Sequence, residues 1–333
     1  MAAKTQYHEA RAPARIDLAG GTLDIWPICL IEPSAVTVNL AIDRFATARV
    51  RLRDDGAFVF TAQDRGLQSK HLDLASVRRD ATLPLHREVA RLAAPPGGME
   101  ISTKSGVPAG SGLGGSSALF VAATKAALAA VGRPMDDATL LRHVIDMEAR
   151  IIGVPTGSQD YVSALFGGLS AVRFPPGGAQ RDAIACDLDA IGRRIVLVYT
   201  GVPHDSGTNN WQITKAYLDG DEGVRSRMCE ISEAARILRG ALLVSDLDAA
   251  ADAIHADWEA RKQLAPGVTT KEIEALGETA RKAGAKAMKV CGAGGGGCVF
   301  FWCADGAKDA VTSALHGSGA EVLKFKPEPL GVR

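Results

Sequence analysis

Apolar residues recur at every second position from Val36 to Leu52: Val36, Val38, Leu40 and Ile42 alternate with polar or small residues, and Val50 and Leu52 alternate with Arg49, Arg51 and Arg53. Successive side chains of a strand point to opposite faces, so this pattern predicts a half-solvated antiparallel pair of strands. Shorter strands are expected at 57–62 and 99–103. The stretch 116–131 is rich in Ala and Leu, opens with serines suited to an N-cap and closes at Gly132. It is apolar on nearly every side except at Lys125, which predicts a buried helix. Further helices are expected from Asp136 or Asp137 to Ile152, stopped by Gly153 and Pro155, and from about Ser158 to Phe166, before Gly167 and Gly168.

Beyond Arg194 the run IVLVYTG reads as a buried strand. Helices follow at about 210–218, 224–243, 248–263 and 270–282, then strands at about 286–291, 297–302 and 321–325, with a helix near 306–316 between the last two. Both halves mix strands and helices without regular βαβα alternation, which predicts an α+β chain of two lobes, 1–195 and 196–333.

Charge and cysteine usage narrow the partners. Lys plus Arg (38) equals Asp plus Glu (38), so no net field draws the chain to nucleic acid or an anionic membrane, and a small-molecule ligand is expected instead. No apolar run reaches the 18 or so residues of a membrane span, and the N-terminal residues lack the pattern of a secretory signal. The 6 cysteines show no CxxC pair or zinc spacing and read as reduced thiols, which fits a cytoplasmic protein. A homodimer is left open.

Five glycines fall in the segment Gly106 to Gly115, directly ahead of the buried helix. Glycines let backbone N–H groups converge on one point, and a helix start adds unpaired donors and the positive end of its dipole, a combination that favours a polyphosphate. A flexible linker would not ordinarily lead straight into a buried helix. The Walker A pattern is absent, and no HRD and DFG partners follow. Gly110, Gly112 and Gly115 satisfy G-x-G-x-x-G, but the dinucleotide fingerprint requires a preceding hydrophobic strand, and Val107-Pro108-Ala109 is a poor one.

Two carboxylates accompany the loop. Glu148 follows Ile145, Val144 and Leu141 at helical spacing and so projects from the apolar face, where it needs a cation, either an arginine or a metal ion. Mg²⁺ suits a site that also holds phosphate, because it takes one or two protein oxygens with phosphate oxygens and water. Asp160 falls in the first turn of a short helix. It either complements the helix dipole or orients and deprotonates an attacking hydroxyl.

Three ordered motifs carry a family resemblance: Arg11-Ala12-Pro13-Ala14-Arg15-Ile16-Asp17-Leu18-Ala19-Gly20-Gly21-Thr22-Leu23-Asp24, the loop from Pro108 to Ser117, and Lys289-Val290-Cys291-Gly292-Ala293-Gly294-Gly295-Gly296-Gly297-Cys298. Together they resemble the galactokinase, homoserine kinase, mevalonate kinase and phosphomevalonate kinase family. The resemblance implies an N-terminal lobe like ribosomal protein S5 domain 2 that binds ATP, and a ferredoxin-like C-terminal lobe that closes the substrate cleft. It further implies that Pro108, Gly110, Ser111, Gly112, Leu113, Gly114, Gly115, Ser116 and Ser117 bind ATP and that Ser117 and Glu148 hold Mg²⁺. Asp160 is then the catalytic aspartate, and Arg15 the cation beside the nucleophilic hydroxyl. On the acceptor side it implies Asp24, Gly21, Thr22 and the turn Gly294, Gly295 and Gly296.

Galactokinases carry Gly-Glu-His where this chain has Gly20-Gly21-Thr22, which argues against galactose. The Gly-Gly pair, Gly157-Ser158-Gln159-Asp160-Tyr161 and the ending Ala164-Leu165-Phe166-Gly167-Gly168 are similar to bacterial heptose 7-phosphate kinases, which implies a sugar-like acceptor phosphorylated on its anomeric hydroxyl. The polar segment from His204 to Trp211 reads as a turn whose Ser206, Thr208 and Asn209 cap the next helix or line the acceptor pocket. Competing readings are a mevalonate-type kinase, a decarboxylase of the same fold, a non-catalytic ATP and sugar sensor, and a nicotinamide-dependent oxidoreductase.

Overall fold

The computed structural model describes residues 6–32, 34–203 and 206–333, the side chains of 206–209 excepted. Its first sheet contains β1 (His8–Ala19), β2 (Val36–Arg53), β3 (Phe58–Ala62), β4 (Leu67–His71), β5 (Gly98–Lys104), β6 (Leu169–Arg173) and β7 (Gln180–Ala183). The spine is β2. β1 runs antiparallel along it, from the pair His8 and Val50 to the pair Ala19 and Val38, while β6 pairs with its first residues and β5 with its last.

The two strands expected between 36 and 52 are thus one strand of 18 residues. The interval between Ile42 and Val50, where the apolar alternation lapses, holds a bulge: Pro13 faces Phe45 but Ala14 faces Ile42, so Asp43 and Arg44 have no partner on β1. The C-terminal tail fills this irregularity, with Asp43 N–H donating to Lys326 O and Glu328 N–H to Ala41 O, both at 2.9 Å. Nor is the first half of β2 half-solvated. Val36 to Ile42 are all buried, because Thr37, Asn39 and Ala41 are small enough to be covered on the second face as well.

With this sheet come α1 (Ile28–Ile31), α2 (Leu74–Val77), α3 (Pro84–Ala93), α4 (Gly115–Ala130), α5 (Asp137–Ile152) and α6 (Gln159–Phe166), while α7 (Leu188–Arg194) leads on to the second sheet. α4 is the buried helix expected from its composition and packs on β1 and β2. α5 is capped by Asp136, whose carboxylate accepts from Thr139 N–H at 2.9 Å and so satisfies one of the helix's free donors. Gly153 ends it in a left-handed conformation, φ 74°.

The second sheet comprises β8 (Ile195–Tyr199), β9 (Ala285–Val290), β10 (Cys298–Cys303) and β11 (Glu321–Leu323), all antiparallel in the order β11-β8-β10-β9. Between β8 and β9 come α8 (Ser206–Asp219), α9 (Glu222–Leu243), α10 (Leu247–Arg261) and α11 (Lys271–Lys282), and α12 (Lys308–Gly317) links β10 to β11. This is the ferredoxin-like βαββαβ arrangement with an enlarged first crossover. α8 begins at Ser206, so most of the polar segment expected as a turn is helical; His204 and Asp205 lie outside the described residues. One apolar cluster joins the two parts: Ile16, Leu18, Val38 and Leu40 of the first sheet pack with Leu238, Ile254, Phe300 and Trp302. No helix among the described residues is long and apolar enough to cross a membrane.

Candidate active site

The glycine-rich loop runs from the end of β5 to the start of α4. At Gly112, with φ 74°, a Cβ would lie 2.1 Å from Cys291 O, so the loop can lie against the turn after β9 only with glycine there. The far side of that turn braces it too, through Cys298 N–H donating to Ser111 O at 2.7 Å. Gly114, the N-cap of α4, has no side chain to offer, and the first turn of the helix carries no side-chain cap. Its amides therefore stay available to an anion.

A cavity of about 590 Å³ opens on this loop, a size suited to a small-molecule ligand. Ala62, Arg65, His86 and Thr103 wall one side, and Arg15, Thr22, Asp24, Asp160 and Arg261 the other. Of the residues expected to bind ATP, Pro108, Gly110, Ser111, Gly112, Gly114, Gly115, Ser116 and Ser117 line the cavity. Leu113 is the exception. Its side chain is wholly buried in the apolar core and its carbonyl accepts from Arg15 N–H at 2.9 Å.

Glu148 has no cationic partner among the described residues. Its Oε1 accepts from Ser116 Oγ at 3.1 Å, and its Oε2 from Thr156 Oγ1 at 3.1 Å and from Tyr161 OH. Burial raises its pKa and the charge of Asp160 adds to that, against the three hydroxyls. The arginine that the sequence left as an alternative is thus absent, and a carboxylate ringed by hydroxyls beside a phosphate-type loop fits Mg²⁺. Ser117 joins the group through Tyr161, whose phenol burial and Glu148 hold well above its ordinary pKa and so neutral.

Arg15 and Asp160 form a close pair, with Nε at 2.8 Å and Nη2 at 2.6 Å from Oδ1, and the remaining Nη donates to Gly112 O. Burial would lower the Arg15 pKa, but the charges of Asp160 and Asp17 outweigh it and raise it. Asp24 lies close by, its Oδ2 accepting from Gln159 N–H at 3.1 Å. A Cβ on Gly157 would sit 2.0 Å from that same oxygen, so glycine is required there for Asp24 to be housed. Burial, with the charges of Asp160 and Asp17, pushes the Asp24 carboxyl up to about 6.

The remaining acceptor residues divide. Thr22 lines the cavity, whereas Gly21 lies against Asp17 and Arg261 and does not. Gly294, Gly295 and Gly296 face away: Gly295 N–H donates to Val268 O at 2.9 Å and Gly296 packs on Val202, leaving Gly292 and Ala293 at the cavity wall. The Asn209 side chain lies outside the described residues, while the neighbouring Asn210 lines the cavity.

Sequence reasoning missed the support beneath the acceptor loop. Asp17, Asp257 and Lys289 are completely buried, and Arg261 is nearly so. Lys289 Nζ sits 2.8 Å from Asp17 Oδ2 and 3.9 Å from Asp257 Oδ2, Asp257 Oδ1 accepts from Gly20 N–H at 2.7 Å, and Arg261 donates to Gly21 O and Gly292 O, each at 2.7 Å. Burial would raise the Asp17 pKa, yet Lys289, Arg261 and Arg15 bring it below the ordinary carboxylate value. Nothing local sets Lys289 apart from Lys286 in the same strand, and its partner Asp17 lies 272 residues away.

Family models match both parts of the chain: that of the GHMP kinases N terminal domain over residues 80–168, and that of the GHMP kinases C terminal over residues 238–320. The chain belongs to the GHMP kinase family. It is a phosphotransferase that acts on a hydroxyl group, and kinases of this family use ATP as phosphate donor. Among its relatives is the D-glycero-alpha-D-manno-heptose 7-phosphate kinase of Campylobacter jejuni, 27% identical over 335 residues, which cover 97% of each chain. A D-glycero-D-manno-heptose 1-phosphate kinase structure from Bacteroides thetaiotaomicron superimposes with a TM-score of 0.78 over 98% of each chain at 24% identity. The Lactococcus lactis galactokinase complexed with galactose gives a TM-score of 0.77 over 99% of this chain and 95% of that one, at 18% identity. These two likenesses establish the fold of this GHMP kinase.

Proposed function

We propose that this GHMP kinase transfers the γ-phosphoryl group of Mg²⁺-ATP to the anomeric hydroxyl of a sugar phosphate of the heptose 7-phosphate type. The observation that carries the reading is the Arg15 and Asp160 pair, which lies beside Gly112 and over the start of α4, where the loop amides would hold phosphate. The likeness to the Campylobacter jejuni enzyme over nearly the whole of both chains favours the acceptor class.

In this reading Asp160 accepts or steers the hydroxyl proton while Arg15 holds its carboxylate in place. The acceptor oxygen forms a bond to the γ-phosphorus, the bond between that phosphorus and the β,γ-bridging oxygen breaks, and ADP leaves carrying the bridging oxygen. Loop amides and the α4 dipole offset the phosphate charge, so positioning and charge neutralisation supply most of the rate. Magnesium, held by Glu148 and Ser117, would neutralise further phosphate charge when bound. Residues 1–195 then act as the ATP-binding lobe and 196–333 as the part that closes the acceptor side, in a cytoplasmic enzyme.

The test is ADP release from Mg²⁺-ATP with heptose 7-phosphates, fucose, galactose, arabinose, homoserine and mevalonate, with the product's phosphate located by mass and NMR. A heptose bisphosphate substituted at the anomeric carbon is expected. Turnover confined to mevalonate or homoserine would overturn the reading.

A further inference from the structure

Three polar side chains along the acceptor side of the cavity hold buried oxygens with no hydrogen-bond partner: Thr22 Oγ1, Gln159 Oε1 and Asn210 Oδ1. Thr22 and Gln159 are only 4% and 6% exposed. Such atoms are normally paired, and a group of them at one cavity wall marks where a ligand completes the bonding. Thr22 carries a second mark. Its φ of 78° lies in the left-handed region, which a β-branched residue rarely adopts. The local turn, Leu23 N–H to Gly20 O at 3.1 Å and Ile25 N–H to Thr22 O at 3.2 Å, uses backbone alone, so glycine would form it with less strain.

We infer that Thr22, Gln159 and Asn210 form an uncharged hydrogen-bonding shelf that orients the acceptor and selects a molecule with several hydroxyl donors. The inference deepens the proposed sugar-phosphate reading and rests on it for the placement of the acceptor. Two amide oxygens can only accept, and the threonine hydroxyl can do either, so a polyol satisfies all three. A carboxylate at the same place would set its lone pairs against theirs, and the nearby Arg261 already donates to Gly21 O and Gly292 O. Hydroxy acids are therefore disfavoured. A wall built from unpaired oxygens also rejects an acceptor lacking the matching hydroxyl, because binding it buries those oxygens unsatisfied.

The experiment measures kcat, both KM values and thermal unfolding of the full chain for Thr22→Val, Gln159→Met and Thr22→Gly. Thr22→Val and Gln159→Met are expected to raise acceptor KM by about tenfold or more while ATP KM stays within about twofold. Thr22→Gly is expected to do the same with thermal stability unchanged or higher, since it removes the strain together with the hydroxyl. If the wild type takes fucose rather than heptose 7-phosphate, the sugar-phosphate reading fails, and the same variants measured with fucose still decide the shelf. Unchanged acceptor KM in both Thr22 variants would overturn the shelf, as would wild-type preference for mevalonate over every sugar.

Discussion

Lys289 on β9 and Asp17 on β1 are both completely buried, and Lys289 holds Asp17 by its carboxylate at 2.8 Å and by its carbonyl at 3.0 Å. The pair ties the second sheet to the first directly beneath the loop that carries Thr22 and Asp24. Removing one charge strands the other in the core, so Lys289→Met is expected to cost about 3–5 kcal/mol of stability in urea titrations. The Lys289→Met, Asp17→Asn double variant should recover part of that loss, because no lone charge is then left by this pair.

Asp160→Asn keeps the shape of the site and removes the carboxylate that Arg15 holds. Turnover is expected to fall at least ~100-fold while ATP affinity, read by titration without acceptor, stays nearly intact. A parallel loss of folding stability in place of turnover would assign Asp160 a structural role.

Asp24 makes stability depend on pH in a definite direction. Its folded pKa is raised from 3.8 to about 6, so between those values the folded state binds more protons than the unfolded chain. This group therefore makes the protein less stable as pH rises from about 4 to about 6, by roughly 3 kcal/mol in total, and contributes no further change above that. Asp24→Asn should be more stable than the wild type at pH 8 and lose that advantage by pH 4, in urea midpoints measured at both. It should also weaken acceptor binding.

Glu148→Gln retains a hydrogen-bonding group for Ser116, Thr156 and Tyr161 but removes the negative charge. The Mg²⁺ concentration for half-maximal activity is expected to rise about tenfold or more. Because burial raises the Glu148 pKa, Mg²⁺ binding in the wild type should weaken as pH falls and release protons as it occurs, both measurable by calorimetry.

Gly112→Ala would place a methyl group 2.1 Å from Cys291 O in a left-handed conformation. The loop must move, at a cost of about 1–3 kcal/mol for the conformation alone. The ATP dissociation constant should rise more than the acceptor's.

The parts of the site legible in the sequence were those whose chemistry is local. The glycine-rich loop announces itself because glycines and a buried helix are contiguous, and Glu148 because helical spacing puts an acid among Leu141, Val144 and Ile145. Helix α3 escaped notice because His86 and Glu88, though buried, interrupt its apolar stripe with polar residues. The long β2 was read as two strands because the apolar alternation lapses after Ile42, where Asp43 and Arg44 occupy the bulge. Gly294, Gly295 and Gly296 were assigned to the acceptor on family resemblance, while the cavity wall is Gly292 and Ala293, two residues earlier in the same turn.

By itself, the sequence determined an α+β fold, a phosphate-binding loop opening a buried helix, and two acids at helix positions where they need a partner. Those features follow from periodicity, capping and backbone freedom, which act over a few residues. Only the tertiary structure decided that Arg15 pairs with Asp160, that Glu148 meets hydroxyls and no arginine, and that Asp17, Asp257, Arg261 and Lys289 share one buried cluster. Partners separated by 145 residues, as Arg15 and Asp160 are, meet because packed sheets and helices bring them together, and no pattern of neighbours along the chain encodes which buried charge will face which.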